Sequence, residues 1–377
     1  MIYRDFQGLK LSALGFGAMR LPVIDGDDSR IDEVAALRMV DTAMQNGINY
    51  YDTAWIYHGG QSEVVLGKAL ARHPRESYYI ADKFPGIDLR NMDKVEEIFE
   101  EQLRRTGLDY FDFYLFHNVN ELNIDSYLDD EKFGIYSYLM EQKKNGRIRH
   151  LGFSAHGGLP VLERFLNAYG KDMEFCQLQI NWVDWEYQKA NEKVELLNRW
   201  NIPVWVMEPL RGGKLTTVPE VYAEQLKQLR PEETVPGWAF RFLQSVDEIV
   251  VTLSGMSNME QLQENIRTYE EDWPANEQEL AVLLEMGRDM TRGAPCTACR
   301  YCTSHCPKGL DIPELLELYN EFVFAGRGFL IPMRLKVQGE GKQPSDCIGC
   351  RSCEKVCPQN IKISEALSYF AQKLEKK

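Results

Sequence analysis

Eight of the nine cysteines in this chain stand in two copies of one spacing. Cys296, Cys299, Cys302 and Cys306 precede Pro307, and Cys347, Cys350, Cys353 and Cys357 precede Pro358. Both runs read C-x2-C-x2-C-x3-C-P, a pattern whose thiolates hold 4Fe-4S clusters. Zinc needs one set of four ligands and does not call for this spacing twice. In paired runs of this kind the fourth cysteine ligates the other cluster. The expected ligand sets are therefore Cys296, Cys299, Cys302 with Cys357, and Cys347, Cys350, Cys353 with Cys306. Two such clusters mean one-electron chemistry. His305 lies inside the first run but reads as a surface residue, since four cysteines suffice. Cys176, the ninth, reads as a buried core thiol.

A second group of chemically apt residues is spread through the first third of the chain. Asp52, Tyr57, Lys83 and His117 each fall at or just after the end of a short apolar run. A phenol beside an ammonium and a carboxylate can act as a proton donor, because the cation stabilises the phenolate. Taken singly, each residue has an ordinary explanation: an amphipathic tyrosine, a surface ion pair, a hydrogen-bonded core histidine. Their common position is what makes them a candidate site. Trp55 and His58 flank Tyr57 and could line its pocket or simply pack at its rim.

The elements that would position these residues follow a regular beat. Apolar strand candidates occur at Ala13–Gly17, Asn49–Thr53, Tyr78–Lys83, Phe111–His117, His150–Ser154, Phe175–Ile180, Pro203–Glu208 and Glu248–Leu253. Helical periodicity lies between them, as in Asp32–Asn46, Ser62–Arg72, Asp93–Thr106, Glu131–Asn145 and Asn258–Tyr269. Eight alternating strands and helices predict an α/β fold, a (β/α)8 TIM barrel. A short hairpin, Ile2–Phe6 and Leu9–Leu11, is expected before it. An open doubly wound sheet would place G-x-G-x-x-G after the first strand. Gly15-Phe16-Gly17 is followed instead by Met19-Arg20-Leu21. In a barrel the C-terminal strand ends share one face, which would gather Asp52, Tyr57, Lys83 and His117. The expected division is a barrel over 1–285 and a small, helix-rich, ferredoxin-like iron–sulfur domain over 286–377. A linker is expected at Gly287–Pro295, with helices at Ile312–Phe324 and Ser364–Lys377.

The run Asp52-Thr53-Ala54-Trp55-Ile56-Tyr57, with Ser62-Glu63 and Leu66-Gly67, resembles the aldo/keto reductase family around its catalytic Asp and Tyr. Lys83 and His117 fall where that family has its other two catalytic residues. The C-terminal part resembles the subgroup with a 4Fe-4S ferredoxin-like domain. The resemblance implies an oxidoreductase that interconverts a small carbonyl compound and its alcohol with NADPH or NADH. Tyr57 would be the acid, Lys83 and Asp52 its supports, and His117 the carbonyl-orienting group. It also implies nicotinamide contacts from Ser154 and Gln179, with Met207 where relatives often stack a Tyr. Ala155 replaces the Asn common after that Ser. Leu210, Gly212 and Gly213 suit backbone approach to a pyrophosphate. Ser254, Gly255, Gln261, Glu264 and Asn265 match the adenosine end. No Lys or Arg stands at 255–261, which weakens NADPH relative to NADH.

The net charge of −14 is uneven. Residues 290–377 carry 13 basic and 9 acidic side chains, which leaves −18 on the rest. An acidic body disfavours non-specific nucleic-acid binding. No run of about 18 apolar residues suggests a membrane span, and Met1–Lys10 has no signal-like apolar core. A cytoplasmic protein is expected, where thiolates stay reduced. Hydride moves two electrons and a cluster moves one, so three roles stay open for the clusters: exchange with an electron-carrier protein or a flavin, separate redox sensing, or holding the tail folded. A redox-responsive binding protein without turnover is the alternative, against which the complete set of four residues weighs.

Overall fold

The computed structural model describes residues 1–328 and 330–375. It comprises two compact units, Met1–Leu284 and Glu285–Lys377. The chain opens with a hairpin of β1 (Tyr3–Phe6) and β2 (Leu9–Ser12), in antiparallel register from Tyr3↔Ser12 to Phe6↔Leu9. Its turn residues Gln7 and Gly8 have φ of 48° and 85°, the left-handed pair that matches the twist of a tight hairpin.

Eight further strands follow: β3 (Leu14–Gly17), β4 (Tyr50–Asp52), β5 (Tyr79–Phe84), β6 (Phe111–Val119), β7 (Ile148–Ala155), β8 (Cys176–Gln179), β9 (Val204–Met207) and β10 (Ile249–Gly255). They close into a barrel in chain order, with β10 pairing β3 and every neighbour parallel. Parallel strands are covered on both faces and so read as apolar runs. All of β6, Phe-Asp-Phe-Tyr-Leu-Phe-His-Asn-Val, is buried. The N-terminal hairpin plugs one end of the barrel. Phe6 enters a cluster with Phe113, Phe175 and Trp205, at ring-centroid distances of 5.7, 6.5 and 5.0 Å. Gly152 makes room for this layer: a Cβ there would stand 2.5 Å from the Phe175 ring. With the strands' N-terminal ends filled by aromatics, the polar strand ends lie at the opposite mouth.

The helices depart from the sequence reading in two places. The expected helix over 131–145 is two, Asp130–Phe133 and Ile135–Lys144, because Gly134 adopts φ 64° between them. The helix Glu277–Met290 runs through Gly287, where a linker is expected. A helical glycine costs only about 1 kcal/mol and does not force an end.

The second unit is built on helices Ile312–Ala325, Leu330–Gln338 and Ile363–Glu375. Leu315, Leu316, Leu318, Ile331, Leu367 and Phe370 form its core, together with Cys302 and Cys353. The expected extension of the last helix to Lys377 lies outside the described residues. Among the described residues no helix is long and apolar enough to cross a membrane.

Candidate active site and cluster site

Asp52 ends β4, Lys83 lies near the end of β5, and His117 lies near the end of β6. The barrel register brings them to one mouth. Lys83 Nζ donates to Asp52 Oδ1 at 2.5 Å, to the Thr53 carbonyl at 2.7 Å and to Tyr57 Oη at 3.4 Å. Lys83 and Asp52 are almost fully buried, at 1% and 4% side-chain exposure. Gln177 Nε2 donates to the other carboxylate oxygen of Asp52 at 3.2 Å. The His117 ring lies edge-on to Tyr57, with centroids 6.2 Å apart, and its buried Nδ1 has no hydrogen-bond partner among the described residues.

These contacts set the protonation states. Burial pushes the Lys83 ammonium down, but the Asp52 and Tyr57 charges outweigh it and hold its pKa above the ordinary lysine value. Burial pushes the Tyr57 phenol up, and Lys83 pulls it part of the way back. Burial, reinforced by the Lys83 charge, holds the His117 imidazole well below its ordinary range, so the ring is neutral near pH 7. The set is a neutral phenol and a neutral imidazole beside a fixed cation.

A cavity opens beside this group. It is lined by Asp52, Tyr57 and Gln177 and extends past Met207, Leu210, Gly212 and Gly213 to Ser254, Gly255, Gln261, Glu264 and Asn265. These include every sequence-expected cofactor residue except Ser154 and Gln179. Ser154 Oγ instead accepts the Asn118 N–H at 2.7 Å, and Gln179 Nε2 donates to Asp184 Oδ2 at 2.8 Å. Neither side chain lines the cavity. Gln177, Arg20 and Glu208, which the sequence reading did not assign to the site, are among the other residues that line it. The cavity fits an extended phosphate-bearing ligand. It has a glycine pair at φ 64° and 90° on one side and an arginine on the other.

His58 does not line the cavity. It is 2% exposed, in a left-handed conformation at φ 51°. Its Nε2 accepts the Leu21 N–H at 3.1 Å and its Nδ1 lies 2.7 Å from the Asp28 carbonyl. With Nε2 accepting, Nδ1 is the protonated donor. Trp55 lies under the Arg105 guanidinium at 3.7 Å. Both therefore brace the segment that carries Tyr57. Cys176 is buried.

In the second unit, Cys296, Cys299, Cys302 and Cys357 line one small cavity with Pro313, Pro358 and Ile363. The fourth thiol of the second run thus joins the first three of the first run. Burial raises both the Cys302 and Cys353 thiols, with added repulsion on Cys302 from Cys296, Cys299 and Cys357 and on Cys353 from Glu354, Cys347 and Cys302. Cys306 and Cys347 pack against the same apolar core. Among the described residues no three His, Cys, Asp or Glu side chains converge on a single metal-ion position. A four-iron cube takes one thiolate at each iron, so its ligands ring a cavity, and the first quartet fits that requirement. His305 is exposed, with Nδ1 3.0 Å from the Tyr301 carbonyl.

Residues 13–283 match the model of the aldo/keto reductase family, and residues 295–362 match that of the 4Fe-4S dicluster domain. L-galactose dehydrogenase of Arabidopsis thaliana is 28% identical over 285 residues, covering 69% of this chain and 84% of the relative. NADH-specific methylglyoxal reductase of Escherichia coli (strain K12) is 27% identical over 304 residues, covering 68% and 90%. The holo-form structure of the aldo-keto reductase AKR11C1 from Bacillus halodurans superposes with a TM-score of 0.61 at 26% identity, covering 76% of this chain and 96% of that one. A family match across most of the chain, on a closed parallel barrel with Asp52, Lys83, Tyr57 and His117 at one mouth, makes this protein an oxidoreductase of the aldo/keto reductase family that carries a 4Fe-4S dicluster domain.

Proposed function

We propose that the barrel reduces a small aldehyde or ketone to its alcohol with a nicotinamide dinucleotide, and runs the reverse reaction when the alcohol is supplied. The observation that carries this reading is the buried Asp52–Lys83 pair pointing its ammonium at the Tyr57 hydroxyl. The reduced nicotinamide, when bound, supplies hydride to the carbonyl carbon. Tyr57 Oη donates its proton to the carbonyl oxygen as negative charge develops there. Lys83 stabilises the phenolate that this leaves, Asp52 holds Lys83, and Gln177 holds Asp52. The neutral His117 imidazole orients the carbonyl. The Leu210–Gly213 loop would take the dinucleotide's phosphates, and Gln261, Glu264 and Asn265 its adenosine end. The lack of Lys or Arg at 255–261 favours NADH over NADPH, in keeping with the NADH-specific relative. A 2-oxoaldehyde such as methylglyoxal is the first substrate to try, from the same relative.

Cys296, Cys299, Cys302 and Cys357 would hold one 4Fe-4S cluster, and Cys347, Cys350, Cys353 and Cys306 the second. Bound clusters supply one-electron transfer, so their partner is a one-electron carrier protein or a flavin. Tyr57→Phe should lower the rate of NADH-dependent carbonyl reduction by about a hundredfold or more, the share of a positioned acid. Steady-state assay over a panel of small carbonyls checks this, and unchanged turnover in the variant would remove Tyr57 as the acid.

A further inference from the structure

The loop after β9 has repeated left-handed backbone: φ is 58° at Glu208, 48° at Arg211, 64° at Gly212 and 90° at Gly213. Turns of this kind aim backbone N–H groups into concavities that bind anions. The loop is rigidly held. Arg211 Nε donates to both oxygens of the buried Asp184, at 3.1 and 3.0 Å, and Asn181 Nδ2 donates to the Glu208 carbonyl at 3.0 Å.

The acidic group at this loop is the protein's own. Glu208 lines the cavity beside Gly212, where the Arg20 guanidinium also reaches, and burial raises its carboxyl pKa while Arg20 and the Gly212 N–H pull it part of the way back. Two glycines give Arg20 its place. A Cβ on Gly255 would stand 3.1 Å from Arg20 Cβ, and one on Gly212 would stand 2.9 Å from Arg20 Nη2 and 3.7 Å from Glu208 Oε2. Among the residues lining the cavity, Arg20 is the sole lysine or arginine. A carboxyl beside a loop amide, with a guanidinium reaching the same glycine, stands where a phosphate oxygen would find its partners.

We propose that Glu208 competes with the diphosphate of the nicotinamide dinucleotide for the Gly212 N–H and the Arg20 guanidinium. The inference rests on the cofactor reading given above. Binding of the dinucleotide swings the Glu208 carboxyl away and lets Arg20 close on the diphosphate. Release reverses the exchange. Glu208 thus weakens the hold on both oxidised and reduced cofactor and speeds their departure, while Arg20 strengthens it. The affected group is the diphosphate, which NADH and NADPH share.

The test is equilibrium titration of the anaerobically purified holoprotein with NADH and with NADPH, followed by cofactor fluorescence. Inorganic pyrophosphate serves as a competing probe. Glu208→Gln removes the competing charge, so Kd for both dinucleotides should fall about tenfold, and pyrophosphate should compete at lower concentration. Glu208→Ala serves as a second variant should the amide bind Gly212 too well. Arg20→Met should raise Kd for both by about tenfold, and adding Glu208→Gln to it should recover little. Unchanged or weaker binding in both Glu208 variants would overturn the competition. A loss in Arg20→Met confined to NADPH would assign Arg20 to a 2′-phosphate and overturn it too. If the unmodified protein binds neither dinucleotide, it is the cofactor reading that fails.

Discussion

Tyr57, Lys83 and His117 share one buried corner, and burial alone would strip the charge from all three. The Asp52 carboxylate prevents this at Lys83, and the Lys83 ammonium in turn keeps His117 neutral. Reduction needs Tyr57 protonated and Lys83 charged. Burial raises the phenol, so the protonated form persists to higher pH, and the raised Lys83 stays charged over the same range. His117 titrates well below its ordinary value and so does not change charge around pH 6 to 8. The expected kcat/KM for reduction is therefore flat from about pH 6 to 8 and declines only above the ordinary phenol value near 10. An inflection near pH 6.5 that disappears in His117→Gln would contradict this. The four residues of this corner were legible because each closes an apolar run, and a parallel barrel puts those closures on one face. Gln177 was not legible as the Asp52 partner. Gln177 and Gln179 lie on the same side of β8, and only the register between strands decides which layer meets Asp52. Arg20 and Glu208 lie 188 positions apart in the sequence, and what joins them is the missing side chain at Gly212 and Gly255.

At the scale of elements, the barrel's outer layer has its own buried ion pair. Arg230 follows the helix Glu220–Leu229, and Glu279 lies in the first turn of Glu277–Met290. Their side chains are both 5% exposed. The pair is bidentate, at 2.7 and 2.6 Å, and Arg230 also donates to the Trp273 and Pro274 carbonyls. Glu279 in turn accepts the Asn276 N–H, fixing the helix start. Burial alone would raise the Glu279 pKa, but the Arg230 and Asn276 hydrogen bonds outweigh it and hold the carboxyl below its ordinary 4.5. Its contribution is therefore present above about pH 4.5 and is lost as the pH falls through the lowered folded value. Glu279→Gln should cost about 3 kcal/mol at pH 7, the range for a broken buried pair. The difference from the unmodified protein, measured as thermal midpoint against pH, should shrink below pH 4.5. A difference that stays constant down to pH 3 would show that packing, not charge, is lost. Sequence periodicity named five helical stretches of the barrel, merged two helices at Gly134 and expected a linker where Glu277–Met290 stays helical. It could not register that Gly134 turns left-handed while Gly287 stays helical, because both lie in equally suitable patterns and only packing separates them.

For the whole molecule, the second unit poses the sharper question, because its chemistry turns on how the two cysteine runs share their thiols. Four thiols from one run could in principle hold one cluster, and four from the next the other. The small cavity argues for exchange, since Cys357 lines it with Cys296, Cys299 and Cys302, whereas Cys306 does not. The two schemes make opposite predictions for pairs of substitutions. Each cluster contributes about four irons. Where Cys296 and Cys357 serve the same cluster, the double variant Cys296→Ser with Cys357→Ser loses no more iron than either single variant and keeps about four irons per chain. Cys296→Ser with Cys306→Ser strikes both clusters and leaves almost none. Under run-by-run ligation the two results exchange places. Iron and sulfide analysis of anaerobically purified protein reads the difference directly. Electron paramagnetic resonance of the dithionite-reduced samples checks that the surviving cluster is intact. Additive loss in the pair Cys296 and Cys306, with sparing in the pair Cys296 and Cys357, is the expected result. It would mean that each cluster draws a thiol from both runs, so that neither forms until both runs have folded together, while either survives the loss of the other.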